Sequence, residues 1–186
     1  NLSTCKSPQQ MFGAVVKTFY AEKLGIDPKN IYVVSVMPCT AKKFEKLRAD
    51  QSASGYPDVD AVLTTRELAR AIKSMGIIFN DLPDGEYDMP LGLYTGAGVI
   101  FGSSGGVMEA ALRTVADVVS GSDLEEIEYE EVRGMEGIKK SAYKVGDKEV
   151  KVAVASGLTN ARKICEEIRD GKADYQFVEI MCCPGG

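Results

Sequence analysis

Ile31-Tyr32-Val33-Val34-Ser35-Val36-Met37-Pro38-Cys39-Thr40-Ala41-Lys42-Lys43-Phe44-Glu45 is the stretch whose reading decides the fold. Its first half, Ile31 to Met37, is a continuous run of mostly β-branched residues, which predicts a buried strand. Pro38 fixes its own φ and biases Met37 toward an extended backbone. The strand therefore runs straight into Cys39 and aims that residue out of its end. Lys42 follows three positions later, one turn on if a helix begins here. A cation so placed favours thiolate over thiol and can donate a hydrogen bond to an anionic ligand. The bland alternative is a buried structural cysteine before a solvated Lys42-Lys43 pair, and spacing alone leaves both open.

Upstream, Ser7-Pro8 reads as a helix start, with Ser7 as N-cap and Pro8 at the first position. Met11, Val15, Val16, Phe19 and Tyr20 recur at helical spacing, and Gly25 is the expected stop. Downstream, Thr64-Thr65-Arg66-Glu67 opens a second helix, with Leu68, Ala71, Ile72 and Met75 on its inner face and Gly76 after it. Asn80 to Pro90 is acidic and turn-rich and predicts a surface loop. The glycine-dense stretch Gly92–Gly106 leads into a helix from about Val107 to Val119. Glu128 to Val132 alternates as a strand, and Ala142 to Val154 reads as a hairpin around Gly146-Asp147. Thr159 to Arg169 predicts another helix, stopped near Gly171, and Tyr175 to Met181 a last strand. Strands and helices alternate, so the fold class is α/β, with mixed sheets flanked by helices and a β-hairpin insertion.

That last strand carries the second motif, Phe177-Val178-Glu179-Ile180-Met181-Cys182-Cys183-Pro184-Gly185-Gly186. Glycines after a thiolate let backbone N–H groups approach cluster sulfurs. Ligands gather beyond the C-terminal ends of strands in open α/β sheets, so Cys39 and Cys183 are expected to meet at one site. Two buried cysteines beside a turn would be the plain reading. A third stretch, Gly96-Ala97-Gly98-Val99-Ile100-Phe101-Gly102-Ser103-Ser104-Gly105-Gly106, has neither dinucleotide-fingerprint nor P-loop spacing. Close packing of a glycine-dense backbone against a bulky cofactor or another strand is the better reading.

Composition narrows the chemistry. The 186 residues carry 45% hydrophobic and 26% charged residues, the proportions of a folding domain, and a net charge of −5 with no basic run that would favour nucleic acid. No apolar stretch approaches the length of a membrane span, and Asn1-Leu2-Ser3-Thr4 lacks the pattern of a signal peptide. There are five cysteines and no histidine. A transition-metal site must then use thiolates or carboxylates, and thiolates suit zinc, copper(I) or iron–sulfur clusters. An odd cysteine count in a chain of this size argues for free thiols in a reducing cytoplasm. Cys5 and Cys165 read as ordinary buried or half-buried cysteines. The absence of an initial Met, and an end within a cysteine-bearing turn, suggest an internal piece of a longer protein.

Met37-Pro38-Cys39-x-x-Lys42-Lys43-x-Glu45 and Phe177-x-Glu179-x-Met181-x-Cys183-Pro184-Gly185-Gly186 resemble the second and third signature segments of iron-only hydrogenases. Leu2-Ser3-Thr4 through Ser7-Pro8-Gln9-Gln10, Thr64 to Leu68 and Gly96 to Glu109 resemble that family too, in the same order. The resemblance covers essentially the whole chain and implies that residues 1–186 are part of the catalytic H-cluster domain, without the first signature and the end of the third. It implies a 4Fe–4S cluster linked to a di-iron subcluster, with Cys39 and Cys183 as cluster ligands. It implies catalytic roles for Lys42, Met37, Met181, Ser3 and Glu45, with Lys42 hydrogen-bonding a cyanide and Ser3 on the proton route. Pro8, Gln9, Phe101, Gly102 and Glu179 would line the cofactor pocket.

The implied activity is an oxidoreductase that interconverts dihydrogen with protons and electrons. Its implied partners are a ferredoxin or NAD(P)-linked electron-transfer domain or subunit, and maturation proteins. The alternative is a non-catalytic relative, an iron–sulfur assembly or sensory protein. Since only two of four cluster cysteines match, the chain by itself is expected to be inactive, with an incomplete cluster and apolar surface that promotes self-association.

Overall fold

The computed structural model describes residues 4–93, 95–102, 104–120, 130–131, 137–145 and 148–182. They divide into two compact units, residues 1–92 and 93–186, each described by itself. Ser3, the Gly146-Asp147 turn and Cys183 lie outside the described residues.

The first unit begins with one continuous helical rod: α1 (Pro8–Val15), a π-helical turn (Val16–Tyr20) and α2 (Ala21–Leu24). Gly25 ends it in the left-handed region at φ 66°, the conformation that a residue without Cβ adopts most cheaply. Ser7 occupies the N-cap in extended backbone, but its side chain makes no cap hydrogen bond. The buried face differs from expectation. Gln9, Gln10, Gly13, Lys17 and Ala21 point inward, while Met11, Phe12, Val15 and Phe19 are 40–58% exposed. The reason is electrostatic. The Lys17 ammonium is fully buried, donating to the Pro57 carbonyl (2.6 Å) and to Asp60 Oδ2 (2.6 Å). Asp60 Oδ2 also accepts the Val33 N–H at 2.7 Å. One turn earlier, Gly13 lets the Asp58 backbone approach so closely that a Cβ would sit 2.1 Å from its carbonyl oxygen. Asp58, itself fully buried, accepts from Lys6 Nζ at 2.7 Å and from the Ala53 N–H at 2.8 Å. Lys17 and Gly13, with such partners and such close approach, set which face of the rod takes the interior. Phe12, Val16 and Tyr20 of the rod line an open groove of about 560 Å³ with Tyr32, Val34 and Met89.

Strands β1 (Val34–Val36) and β2 (Ala61–Leu63) pair in parallel, Val34 opposite Ala61 and Val36 opposite Leu63. The predicted buried strand is therefore short, and only Ser35 in it is buried. Among the described residues this sheet has two strands, so alternate side chains, Val34 and Val36, face outward. Helix α3 (Ala41–Glu45) follows β1, and α4 (Thr65–Ser74) follows β2. Leu68, Ala71 and Ile72 are half-buried as expected on α4's inner side, whereas Met75 is 72% exposed because it has already left the helix. A 3-10 turn at Phe79–Asp81 opens the predicted loop.

The second unit has the apolar core. It contains α5 (Gly96–Ile100), α6 (Gly106–Ser120), β3 (Glu130–Glu131), β4 (Ile138–Val145), β5 (Lys148–Ser156), α7 (Leu158–Arg169) and β6 (Phe177–Met181). The sheet order is β3-β4-β5-β6, with only the β5–β6 pair parallel. The register Val145 opposite Lys148 fixes a hairpin of the predicted kind, longer at its start than the expected Ala142. Central strand β5 is buried on both faces, and its side chains alternate between two clusters. Val152 and Val154 join Met108 and Leu112 of α6 and Tyr143, while Ala153 and Ala155 join Ile138 and Ile164 of α7. The sheet thus lies between two helices, and each fully buried aliphatic side chain contributes about 1.5–3 kcal/mol. The architecture is α/β, with mixed pairing and a hairpin.

Lys17→Ala leaves the Asp60 carboxylate and the Pro57 carbonyl without their buried partner. It should destabilise the chain by about 3–5 kcal/mol in urea unfolding. Lys29→Ala removes an exposed pair with Asp27 and should leave the midpoint unchanged within error. Equal midpoint shifts in the two variants would sink this account of the first unit's interior.

Candidate functional site

The parallel pairing brings the C-terminal ends of β1 and β2 side by side. The Met37 N–H continues the ladder, donating to the Leu63 carbonyl at 2.9 Å. The chain then turns through Pro38, Cys39 and Thr40 into α3, and on the neighbouring strand through Thr64 into α4. Cys39 is a half-buried free thiol at that edge, and Met37 is half-buried beside it in sequence.

Three of the predicted site residues form one network next to this turn. Gln9 is buried, and its Nε2 donates to Glu45 Oε2 at 2.8 Å. The same carboxylate oxygen accepts from Lys42 Nζ at 3.2 Å, one turn back on α3. The other end of Gln9, Oε1, accepts from Ser35 Oγ at 2.6 Å. Burial works against the Glu45 carboxylate, but the polar side chains of Ser7 and Gln9 and the Lys42 ammonium outweigh it and hold the carboxyl below its usual range. The Lys42 ammonium therefore faces a fixed anion, and among the described residues Glu45 is its one ion-pair partner, while an ammonium has three donors. Ser35 was missed in the sequence. Its signal is a lone hydroxyl at the centre of an apolar run, on the one inward-facing position of β1. Pro8 is exposed at the first position of α1.

The wall opposite is set by a capping box. Thr64 accepts the Glu67 N–H, and Glu67 accepts the Thr64 N–H at 2.8 Å. Lys43 Nζ reaches both Glu67 (2.8 Å) and the Val62 carbonyl (2.8 Å), tying α3 to β2 and α4. The Lys43 ammonium, with the Thr64 amide, lowers the Glu67 carboxyl to about 2. Pro38, Thr40, Lys43, Thr64, Arg66 and Arg70 enclose a cavity of about 540 Å³ at this strand edge.

In the second unit, Phe101 and Gly102 follow α5 and are exposed. Glu179 on β6 spends both carboxylate oxygens on the start of α6, accepting the Gly105 N–H (3.1 Å) and the Met108 N–H (2.8 Å). It is a helix cap supplied by a strand, and it anchors β6 two residues before Met181. The glycine-dense stretch is thus packed against a strand. At Gly106 a Cβ would lie 1.7 Å from the Ile100 carbonyl oxygen. Met181 is half-buried, and its carbonyl accepts the Gly157 N–H at 2.8 Å. Cys182 is exposed. Cys5 and Cys165, expected to be buried or half-buried, are exposed. Cys5 lies in coil before α1, and Cys165 follows buried Ile164 on the outer side of α7. Among the described residues no three Cys, Asp or Glu side chains converge on a common point, and no helix is long and apolar enough to cross a membrane.

Residues 1–186 match the family model described as the iron-only hydrogenase large subunit, C-terminal domain. The chain is 53% identical over 99% of its length to the NADP-reducing hydrogenase subunit HndD of Solidesulfovibrio fructosivorans, covering 31% of that protein. It is 50% identical over its full length to the periplasmic [Fe] hydrogenase large subunit of Nitratidesulfovibrio vulgaris, covering 44% of it. The mouse cytosolic iron–sulfur assembly component 3 is 33% identical over the full chain, which covers 40% of that protein. Among solved structures, an [FeFe]-hydrogenase, HydA(deltaEFG), superposes with a TM-score of 0.82 at 41% identity, over 99% of this chain and 54% of that one. The chain thus spans between a third and about half of the length of these relatives.

The depressed Glu67 carboxyl has a testable pH signature. Its folded value of about 2 lies below the ordinary 4.5. Its contribution to stability is therefore complete above about 4.5 and is lost as pH falls through about 2. Glutamine at this position keeps the capping box but loses the charge pair. Urea midpoints of Glu67→Gln, followed from pH 6 to pH 2, should fall less steeply than those of the parent. Parallel curves would refute the pairing with Lys43.

Proposed function

We infer the function from one premise: the chain belongs to the iron-only hydrogenase family and matches, along its whole length, the C-terminal domain of that family's large chain. We propose that it forms part of the catalytic domain of an enzyme interconverting dihydrogen with protons and electrons. One observation carries this reading. A free thiol at the C-terminal edge of a parallel strand pair lies three residues before a lysine that a Ser35–Gln9–Glu45 chain, buried at Ser35 and Gln9, holds in position.

The donor set suits the implied cofactors, a 4Fe–4S cluster joined to a di-iron unit. Cys39 is a soft thiolate donor, and Met37 adds a thioether nearby in sequence, where histidine is absent from the whole chain. In this reading Cys39 and Cys183 each supply one ligand to the cluster. When bound, the cofactor supplies the electrons and the open metal position at which dihydrogen is formed or split.

The protein's part is positional and electrostatic. Glu45 fixes the Lys42 ammonium, and Lys42 offers its remaining N–H groups to an anionic ligand of the di-iron unit. Gln9 locks Glu45 from the side of β1, with Ser35 fixing the amide in one orientation. The family resemblance would give Met37 and Pro8 in the first unit, and Met181, Phe101, Gly102 and Glu179 in the second, roles beside the cofactor. The family resemblance would give Ser3 a place on the proton route. Free thiols support a cytoplasmic location, and the exposed stripe of Met11, Phe12, Val15 and Phe19 supports association with a further copy or domain. Electrons are exchanged with a ferredoxin or an NAD(P)-linked subunit.

The test is hydrogen evolution by the whole protein that carries this segment, made anaerobically with the maturation machinery. Lys42→Ala should lower turnover by about 10²-fold or more, the scale of losing a donor aimed at developing charge. Glu45→Gln, which keeps the shape and removes the anion, should lower it by about 10–100-fold. Cys39→Ser should lose cluster iron. Full iron–sulfur loading without any hydrogen turnover in the parent would instead support the assembly-protein reading.

A further inference from the structure

We propose that Lys43 and Lys46 are positioning residues for the hydrogen chemistry: their ammonium groups seat α3, and with it Lys42, on the edge of β2. The helix needs such a seat. α3 has five residues, buries none of them and has no side-chain bond at its Thr40 cap. A helix that short has no stability of its own in water. Its one large apolar residue, Phe44, and Leu47 just beyond it are each 73% exposed, so no apolar face holds it down. What holds it is polar. Lys43 Nζ donates to the Val62 carbonyl at 2.8 Å, and Lys46 Nζ to the Asp60 carbonyl at 2.9 Å.

The two tethers match in spacing. Lys43 and Lys46 stand three residues apart, on one face of a helical turn. Asp60, just before β2, and Val62 within it stand two apart, and carbonyls two apart on a strand point to one edge. Leu63 gives its own carbonyl to the Met37 N–H on the β1 side, so that edge is the one away from β1. Among the described residues no further strand covers it. The lysines thus satisfy two edge carbonyls. They also fix α3 at two points, which sets its rotation as well as its place. Rotation decides the site, because Lys42 and Glu45 ride on the same helix and Glu45 must meet Gln9 of α1. A further link closes a ring. The Asp60 carboxylate holds Lys17 of the helical rod while its carbonyl holds Lys46, so rod and α3 are joined both through Asp60 and through Gln9–Glu45. Without the two ammonium groups one side of that ring opens. The assignment to hydrogen chemistry rests on the functional reading above; the seating of α3 does not.

The test combines Lys43→Met with Lys46→Met, which keep the apolar stems and remove the donors, in the whole protein that carries this segment. Two readouts are compared. In the iron-free protein the Glu45 carboxyl is titrated by carboxyl-carbon NMR. Burial raises it, but Ser7, Gln9 and Lys42 hold it below its usual range. In the double variant it should move up toward that range as the helix turns away from Gln9. In the matured protein, kcat for hydrogen evolution should fall by about 10–100-fold, the scale of a misplacement of about 1 Å, with KM for the electron donor unchanged. Lys43→Arg with Lys46→Arg, which restores donors, should recover most of both. A merely structural loss would lower the folded fraction and leave the titration of the folded protein where it was. Glu67→Gln removes the ion pair of Lys43 but not its bond to Val62, and should change neither readout. If the double variant does not fold, Lys46→Met alone is read in the same way. An unmoved Glu45 titration would overturn the seat, and so would equal changes in Glu67→Gln. A moved titration with undiminished kcat would overturn the role in the reaction. Absence of hydrogen turnover in the parent would sink the functional reading, and the titration would then still decide whether the lysines seat α3.

Discussion

The first unit depends on one buried ammonium. Lys17 joins three pieces of chain that sequence keeps far apart: the helical rod that bears it, the Pro57–Asp60 segment, and the start of β1 through the Asp60-bound N–H of Val33. Taking a charge out of water costs several kcal/mol, and only good geometry returns it. With contacts of 2.6 Å to an anion and a carbonyl, the geometry is good. It sets the depth of the rod, and through the rod the position of Gln9, which reaches Glu45 and so Lys42. The candidate site is thus held in place by an ion pair that is no part of it.

The two units solve the burial problem differently. The second has two clusters of aliphatic side chains on either face of β5. In the first, Gln9, Gln10, Ser35, Gln51, Asp58 and Lys17 are buried alongside only a few small apolar residues. A polar interior is geometrically demanding, because each group needs its partner at a set distance and angle. An apolar interior tolerates adjustment more readily. The network beside Cys39 belongs to the demanding kind, which suits a site whose charged groups must be aimed.

How much of this could be read from the residues varied with the range of the forces involved. The capping box at Thr64–Glu67 was legible because cap chemistry acts within one turn. The hairpin was legible because Gly146-Asp147 sits between alternating runs. The motif around Cys39 led to Lys42 and Glu45, and the family resemblance to Gln9, and these three share one network. The orientation of α1 was not legible. Periodicity counts apolar residues and places them inside, and it cannot weigh Lys17 against an aspartate 43 residues away. Ser35 and the capping role of Glu179 were hidden for the same reason, since each acts on a distant segment.

The pairing of β5 also orders assembly in time. On one side it meets β4 through a two-residue connection, and on the other it meets β6 only after the chain has passed through α7. Short loops close in tens of nanoseconds and hairpins form within microseconds, whereas parallel pairing must first close a longer loop. The hairpin is thus the natural nucleus, and β6 arrives late, carrying Glu179 to a waiting α6. The strand that leads to the second cysteine motif is among the last to settle, so the C-terminal edge of this unit is the last part of its sheet to be covered as the chain folds.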